Sequence, residues 1–381
     1  MIYLDNAATS HPKPEQVYQA VDTALRVGGS AGRSGHQLAL NAARVVLEAR
    51  ELLAQLFNVP ASEQIVFTAS ATEAINQALF GLLQPGDRVV TTNQEHNSVT
   101  RPLRALQGQG VEVVKVAADP LSGVVAAADL KQACLESKTR LLLVNHCSNV
   151  YGALQPVEQL GGWCREQGIV FMVDGSQSAG SVPIDLEGMQ IDLFAAPGHK
   201  CLLGPQGTGF LYVANGIILK PLIYGGTGTH SSSDRPPQDL PERLEAGTLN
   251  LPGLAGLKAA LEFILQLGVE EIRRHELQSI SYLLDRLGAI DGVSIYGPET
   301  AQQRGAVLSF NIDRCDPTEV GFLLDREENI AVRVGLHCAP DAHRAIGTFP
   351  RGTVRVSPGY FTTETELARF VAAIQRLALQ C

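Results

Sequence analysis

Between residues 64 and about 215 the chain alternates short apolar runs with segments of helical length, and no other feature constrains the fold as strongly. Gln64–Phe67, Arg88–Thr92, Val111–Val116, Leu141–Asn145 and Val170–Asp174 read as strands. Between the first two, Ile75, Ala78, Leu79 and Leu82 recur at the spacing of one helix face. A strand that is apolar at nearly every position needs cover on both faces, and helices joining successive strands supply it. The pattern therefore predicts an α/β chain built on a parallel sheet. Ligands of such sheets sit beyond the carboxyl ends of the strands, so the chemistry is expected there.

At 381 residues the chain exceeds what one small core absorbs, and a large unit plus a smaller one is expected. Residues 1–14 read as an N-terminal segment, 15–250 as the large domain, 251–290 as linking helices and 291–381 as a small α+β domain. In the last of these, Val307–Ile312 and Thr353–Ser357 look like strands. The final helix opens on Thr363 and Glu366, spaced as a capping box, and carries Leu367, Phe370, Val371 and Ile374 on one face. The glycine- and serine-rich stretch 225–233 is the most loop-like and is expected to be mobile.

Lys and Arg number 30 against 39 Asp and Glu, a net charge of −9, which lacks the basic surface that phosphate backbones require. Nucleic acid is therefore not an expected partner. No apolar run reaches the roughly 20 residues that cross a bilayer, and no signal peptide is visible, so no membrane partner is expected either. Seven cysteines, at 134, 147, 164, 201, 315, 338 and 381, form no Cys-x-x-Cys pair. Neither a disulfide framework nor a zinc site is expected, and the chain reads as a reduced, cytoplasmic protein.

Two strand ends carry a suggestive pair. Asp174 ends one strand, and Asp192–Ala196 runs into Pro197-Gly-His-Lys200, which makes Asp174 and Lys200 neighbours at the carboxyl edge. A lysine so placed can hold a carbonyl cofactor as a Schiff base, and a carboxylate beside it can pair with a protonated pyridine nitrogen. A surface lysine and a helix-capping aspartate would look the same. Ser70-Ala-Thr-Glu73 adds a helix start with the spacing of a capping box, whose free N–H groups suit a phosphate, although many such helix starts bind nothing.

Together these pieces resemble one family. Tyr3-Leu-Asp-Asn-Ala-Ala8, Ala71-Thr-Glu-Ala-Ile-Asn76, Gln94-Glu-His-Asn97, Ser148-Asn-Val-Tyr-Gly152, Val173-Asp-Gly-Ser-Gln177, Gly198-His-Lys200, Leu244-Glu-Ala-Gly-Thr248 and Arg333-Val-Gly-Leu-His-Cys338 occur in its order. The chain resembles the class V aminotransferase-fold, pyridoxal-phosphate-dependent cysteine desulfurases, in the branch that includes selenocysteine lyases, from residue 2 to about 375. The resemblance implies the type I fold of pyridoxal-phosphate enzymes: a mostly parallel seven-stranded sheet plus a smaller C-terminal α+β domain.

It also implies roles. Lys200 would hold the cofactor, Asp174 would meet its ring nitrogen, and Gln177 and Asn149 its phenolic oxygen. His96 would stack on the ring and move protons, although outside this context it reads as a buried structural histidine. Thr72 and His199 would hold the phosphate, and Thr248 would reach the phosphate of a neighbouring subunit, which implies a homodimer with shared active sites. Arg355 would grip the substrate carboxylate, where the competing reading is a solvent-facing strand arginine. Arg333, Arg33, His36 and Asn149 would line the substrate pocket. Pro197 departs from the serine usual in the family, which removes one donor to the phosphate.

Cys338 lies in a polar loop between Gly335 and Pro340, whereas Cys134, Cys147 and Cys164 fall in helix or strand patterns as small core residues. The family chemistry gives Cys338 the sulfur of L-cysteine as a persulfide, with alanine released, and His337, Arg333 or His343 would stabilise its thiolate. A sulfur-acceptor protein is the implied partner, and iron–sulfur cluster assembly one destination. The competing readings are a selenocysteine lyase acting on L-selenocysteine, another pyridoxal-phosphate-dependent elimination or transamination, and a scaffold that has kept only the fold.

Overall fold

The computed structural model describes residues 1–31, 34–228 and 232–380. The chain begins with β1 (Ile2–Tyr3), α1 (Glu15–Val27) and α2 (Gln37–Leu56). It continues through β2 (Ile65–Thr68), α3 (Ala71–Leu82), β3 (Arg88–Thr92), α4 (Asn97–Gln107), β4 (Glu112–Val116), α5 (Ala127–Leu135) and β5 (Leu141–Asn145). Then come α6 (Gly161–Gln167), β6 (Val170–Asp174), β7 (Leu193–Pro197) and β8 (Gly209–Val213). The predicted strands thus appear within a residue or two of their expected bounds.

These strands form one seven-stranded sheet in the order β2-β8-β7-β6-β5-β3-β4. It is parallel from β7 to β4, while β8 runs antiparallel to both β7 and β2. The sequence reading passed over β8. It has the same apolar signature, but no helix separates it from β7, so it returns antiparallel beside it. Alternation along β5 shows why both faces are apolar. Leu142 and Val144 belong to a core formed with α2, α5, α6 and the later helix Leu251–Leu267, whereas Leu141 and Leu143 belong to one formed with α3 and α4.

Two helices, α7 (Leu251–Leu267) and α8 (Val269–Gly288), follow with an 82° bend between them. Apolar residues of α7 pack in the large core, and Ile280, Leu283 and Leu287 of α8 in the small one. The small unit comprises β9 (Val293–Tyr296), β10 (Leu308–Ile312), α9 (Pro317–Glu328), β11 (Ile330–Ala331), β12 (Arg333–Gly335), α10 (Pro340–Ala345), β13 (Thr353–Val356) and α11 (Glu364–Gln380). Its antiparallel sheet has the order β12-β13-β10-β9. The N-terminal β1 pairs in parallel with β11, so Ile2 and Leu4 join the small core and Asp5 is carried to the crevice between the units.

Among the described residues, no single helix is long and apolar enough to cross a membrane. One cysteine departs from the reduced-thiol expectation: Cys315 is disulfide-bonded. Spacing along a chain does not report which thiols the fold brings together. Residues 229–231 of the stretch 225–233, expected to be mobile, lie outside the described residues.

Candidate active site

A cavity of about 230 Å³ opens where the carboxyl ends of the central strands meet the small unit. The strand topology explains its walls. Asn145 ends β5, Asp174 ends β6, His199 and Lys200 follow β7, His96 follows β3, and Thr72 lies in the first turn of α3. Arg333 and Arg355 enter from β12 and β13, and Asn149 and Gln177 complete the polar lining.

Asp174 is 4% exposed and accepts hydrogen bonds at Oδ1 from Ser176 N (2.9 Å) and Ser176 Oγ (2.5 Å). Burial raises its pKa, while the Ser176 bonds and the Lys200 charge oppose the rise. The turn that makes these bonds requires Gly175, since a Cβ there would lie 2.1 Å from the Phe194 ring. Lys200 is shifted down to about 8, chiefly by burial, with Arg355 and Arg333 reinforcing the shift and Asp174 opposing it. A lysine so shifted has a neutral amine available near physiological pH, which a nucleophile or base needs.

His96 is both a helix cap and a cavity wall. Its Nδ1 accepts the Ser98 backbone N–H at 3.0 Å, so the ring proton is assigned to Nε2. Burial, helped by the charges of Lys200, Arg333, Arg355 and Arg101, pushes its pKa down to about 4. At neutral pH it is therefore an uncharged N–H donor.

At the other end of the cavity, Ser70 Oγ caps Glu73 N at 3.2 Å, while Glu73 reaches back to Ala69 N at 2.6 Å. The N–H groups of Ala71 and Thr72, at the start of α3, are not consumed by this cap. His199 Nδ1 is buried with no partner among the described residues, and burial lowers its pKa to about 4. Pro197 lines the wall without an N–H to offer, and the next N–H, of Gly198, is spent on Thr208 O at 2.9 Å. Gln177 Nε2 donates to Ala7 O at 3.0 Å, and Asn149 Nδ2 to His337 O at 2.6 Å. Asn149 Oδ1 is left buried and unpartnered among the described residues.

The structure replaces the solvent-facing reading of Arg355. Its side chain is fully buried, with Nη2 on Asp5 Oδ1 at 2.7 Å and Nη1 on Asn149 O at 2.9 Å. Its Nε has no partner among the described residues. Of the three groups offered for the Cys338 thiolate, only Arg333 reaches it, with Nη2 3.4 Å from Sγ. His337 and His343 instead lie buried against each other, 5.4 Å between ring centroids, and bond to Thr353 and Thr348. Burial holds both well below the usual histidine range, so neither brings a charge to the thiol. Cys338 is exposed and does not itself line the cavity; it lies beside Arg333, which does.

Besides Cys338, two expected residues do not line this cavity within one chain: Thr248 is exposed, and exposed His36 caps α2, accepting from Ala39 N at 3.2 Å. Arg33 lies outside the described residues. Two residues escaped the sequence reading although their segments were singled out. Asp5 orients Arg355. Glu95 is a fully buried acid whose Oε1 accepts from Thr92 Oγ1 (2.7 Å) and Asn145 N (3.2 Å). Its neighbour Lys115 sits in an exposed ion pair with Asp341, 2.7 Å apart, between β4 and α10.

The residues present fit a flat, phosphate-bearing pyridine aldehyde. The cavity combines a deprotonable amine, a buried carboxylate, an imidazole wall and unspent helix-terminal donors, and it leaves His199 Nδ1 and Asn149 Oδ1 wanting partners.

Residues 2–370 match the aminotransferase class V family model. The chain is 37% identical to a probable cysteine desulfurase of Methanothermobacter thermautotrophicus over 99% of its length and 94% of that protein. It is 34% identical to a cysteine desulfurase of Pectobacterium atrosepticum, covering 99% of this chain and 93% of that one. Among solved structures, an apo cysteine desulfurase from Thermococcus onnurineus superposes with a TM-score of 0.93 at 31% identity, covering 100% of this chain and 95% of that one. The cysteine desulfurase CsdA of Escherichia coli gives 0.87 at 30% identity, over 99% and 94% of the two chains.

Proposed function

The chain belongs to the class V aminotransferase family, and from that premise we propose that it is a cysteine desulfurase that converts L-cysteine to L-alanine and takes the sulfur onto Cys338 as a persulfide. The observation that carries the assignment of the thiol is Arg333, which lines the cavity and also places Nη2 3.4 Å from Cys338 Sγ.

Pyridoxal phosphate, when bound, supplies the electron sink for bond changes at the substrate amino acid. Lys200 would hold it, with Asp174 toward its ring nitrogen, His96 on its face, Gln177 and Asn149 toward its phenolic oxygen, and Thr72 and His199 at its phosphate. Arg355, already oriented by Asp5 and the Asn149 carbonyl, presents a fixed guanidinium to the substrate carboxylate. The neutral Lys200 amine takes the α-proton, and His96 donates from Nε2. Cys338 attacks as the thiolate, beside the Arg333 guanidinium. A bond forms between its Sγ and the substrate sulfur as the substrate Cβ–S bond breaks. The electron pair left on the carbon skeleton takes up a proton, alanine departs, and one sulfur stays on the protein.

Exposure of Cys338 suits onward transfer to a sulfur-acceptor protein, which would feed iron–sulfur cluster assembly. Thr248, exposed and away from the cavity of its own chain, would complete a neighbour's phosphate site in a homodimer. Leu38, Leu40 and Leu47, each about half exposed on α2, supply apolar surface for that association.

The test compares the wild type and Cys338→Ala on L-cysteine with a reductant and on L-selenocysteine, whose selenide leaves more readily. Loss of alanine production from cysteine alone is expected. A variant that turns over cysteine as well as the wild type does would remove Cys338 from the reaction, and a wild type inactive on cysteine would overturn the substrate.

A further inference from the structure

Cys338 lies beside Arg333 of the cavity wall, yet what holds it there lies elsewhere. Four successive carbonyls of the turn after β5 are each taken by the small unit. Asn149 O accepts from Arg355 Nη1 (2.9 Å), Val150 O from Ser309 Oγ (2.5 Å), Tyr151 O from Arg304 Nη1 (2.7 Å) and Gly152 O from Gly305 N (2.8 Å). Gly152 lets the two backbones meet, because a Cβ there would lie 2.3 Å from Val307 O. The turn answers with one bond of its own, from Asn149 Nδ2 to the carbonyl of His337 at 2.6 Å.

The His337 ring is tied to the same turn. Ser309 spends its only hydroxyl proton on Val150 O, so Thr353, 3.0 Å away, must donate to Ser309. Thr353 then has no proton for His337, and its Oγ1 accepts from His337 Nε2 at 3.0 Å. A one-way chain thus runs from His337 through Thr353 and Ser309 to Val150. His337 and Cys338 have φ of 48° and 61°, a left-handed pair of non-glycine residues. Such a pair persists only where its surroundings over-determine it. Besides the bonds to His337, Asn97 N holds the Cys338 carbonyl at 2.8 Å.

We propose that the 149–152 turn is the element that aims Cys338 at the substrate sulfur, with Ser309 and Thr353 as positioning residues that act through His337. Neither of the two lines the cavity, and both are fully buried. The proposal rests on the desulfurase reading.

The test uses the cofactor-loaded enzyme with Ser309→Ala, Thr353→Val and Thr353→Ser. A misplacement of about 1 Å can cost on the order of a hundredfold in rate. Ser309→Ala and Thr353→Val should therefore turn over L-cysteine roughly tenfold or more slowly, with L-selenocysteine turnover and cofactor absorbance at wild-type levels. Thr353→Ser, which restores the hydroxyl, should recover cysteine turnover. The proposal is overturned if both substrates slow together, if Ser309→Ala and Thr353→Val match the wild type on cysteine, or if Thr353→Ser is as impaired as Thr353→Val. If the wild type makes no alanine from cysteine, the desulfurase reading falls, and the rate at which iodoacetamide labels Cys338 decides the positioning instead. Labelling altered by both variants and restored in Thr353→Ser supports it, and unaltered labelling overturns it.

Discussion

Replacing Glu95 with glutamine should leave a protein whose stability, relative to the wild type, climbs as the pH is raised. The carboxyl is wholly buried between the tips of β3 and β5, where Oε1 is hydrogen-bonded and Oε2 has no partner among the described residues. Burial drives its pKa up to about 8 from an ordinary 4.5; the Asp174 charge adds to the rise, and the bonds to Thr92 and Asn145 and the Lys115 charge oppose it. Between these two values the folded protein keeps a proton that the unfolded chain has lost. The folded state then binds more protons, so stability falls as pH rises across that window and is unaffected by this group below it. At about 1.4 kcal/mol per pH unit, the fall from 4.5 to about 8 amounts to ~5 kcal/mol.

Glutamine has no such proton to lose. Its amide has two buried donor hydrogens where the neutral acid has one, a pH-independent cost of about 1–3 kcal/mol. The variant should therefore be the less stable protein at pH 5 and the more stable one at pH 8. Guanidinium unfolding of both proteins at pH 5, 6, 7 and 8 measures this, because titrations elsewhere cancel in the difference. Curves that stay parallel would show that Glu95 is already ionised in the folded protein, and the burial argument would fail.

Asp5→Asn removes the charge that orients Arg355, so the KM for L-cysteine should rise about tenfold with a smaller change in kcat, read from steady-state alanine production. Cofactor uptake by the apo-protein needs the neutral Lys200 amine, so its rate should increase with pH through about 8, followed by absorbance after mixing with pyridoxal phosphate. A pH-independent rate would contradict the depressed lysine. Phe194 packs its ring against Phe57 and Phe210 under the sheet, with centroids 5.4 and 5.9 Å away. Phe194→Ala should cost about 3–5 kcal/mol in denaturant unfolding, and a loss under 1 kcal/mol would mean that the site collapses around the gap.

Local pattern was enough to determine the strands of the large sheet other than β8, the capped start of α3 and the placing of Asp174 and Lys200 at adjacent strand ends. Periodicity and capping act over a few residues, and a parallel sheet puts successive strand ends side by side. The chain's own order of residues also marked Cys338 as a loop thiol apart from the core ones. What the sequence could not disclose depends on contacts between distant segments. Asp5 meets Arg355 because β1 joins the small unit some 330 residues later in the chain. The buried state of Arg355 and Glu95, the helix-capping tautomer of His96 and the disulfide at Cys315 arise the same way. Of the groups expected to act on the loop thiol, the fold kept Arg333 and withdrew His337 and His343 into a neutral, buried pair. A titratable group's charge is set by the dielectric and the partners around it, and those exist only once the two units have closed on each other.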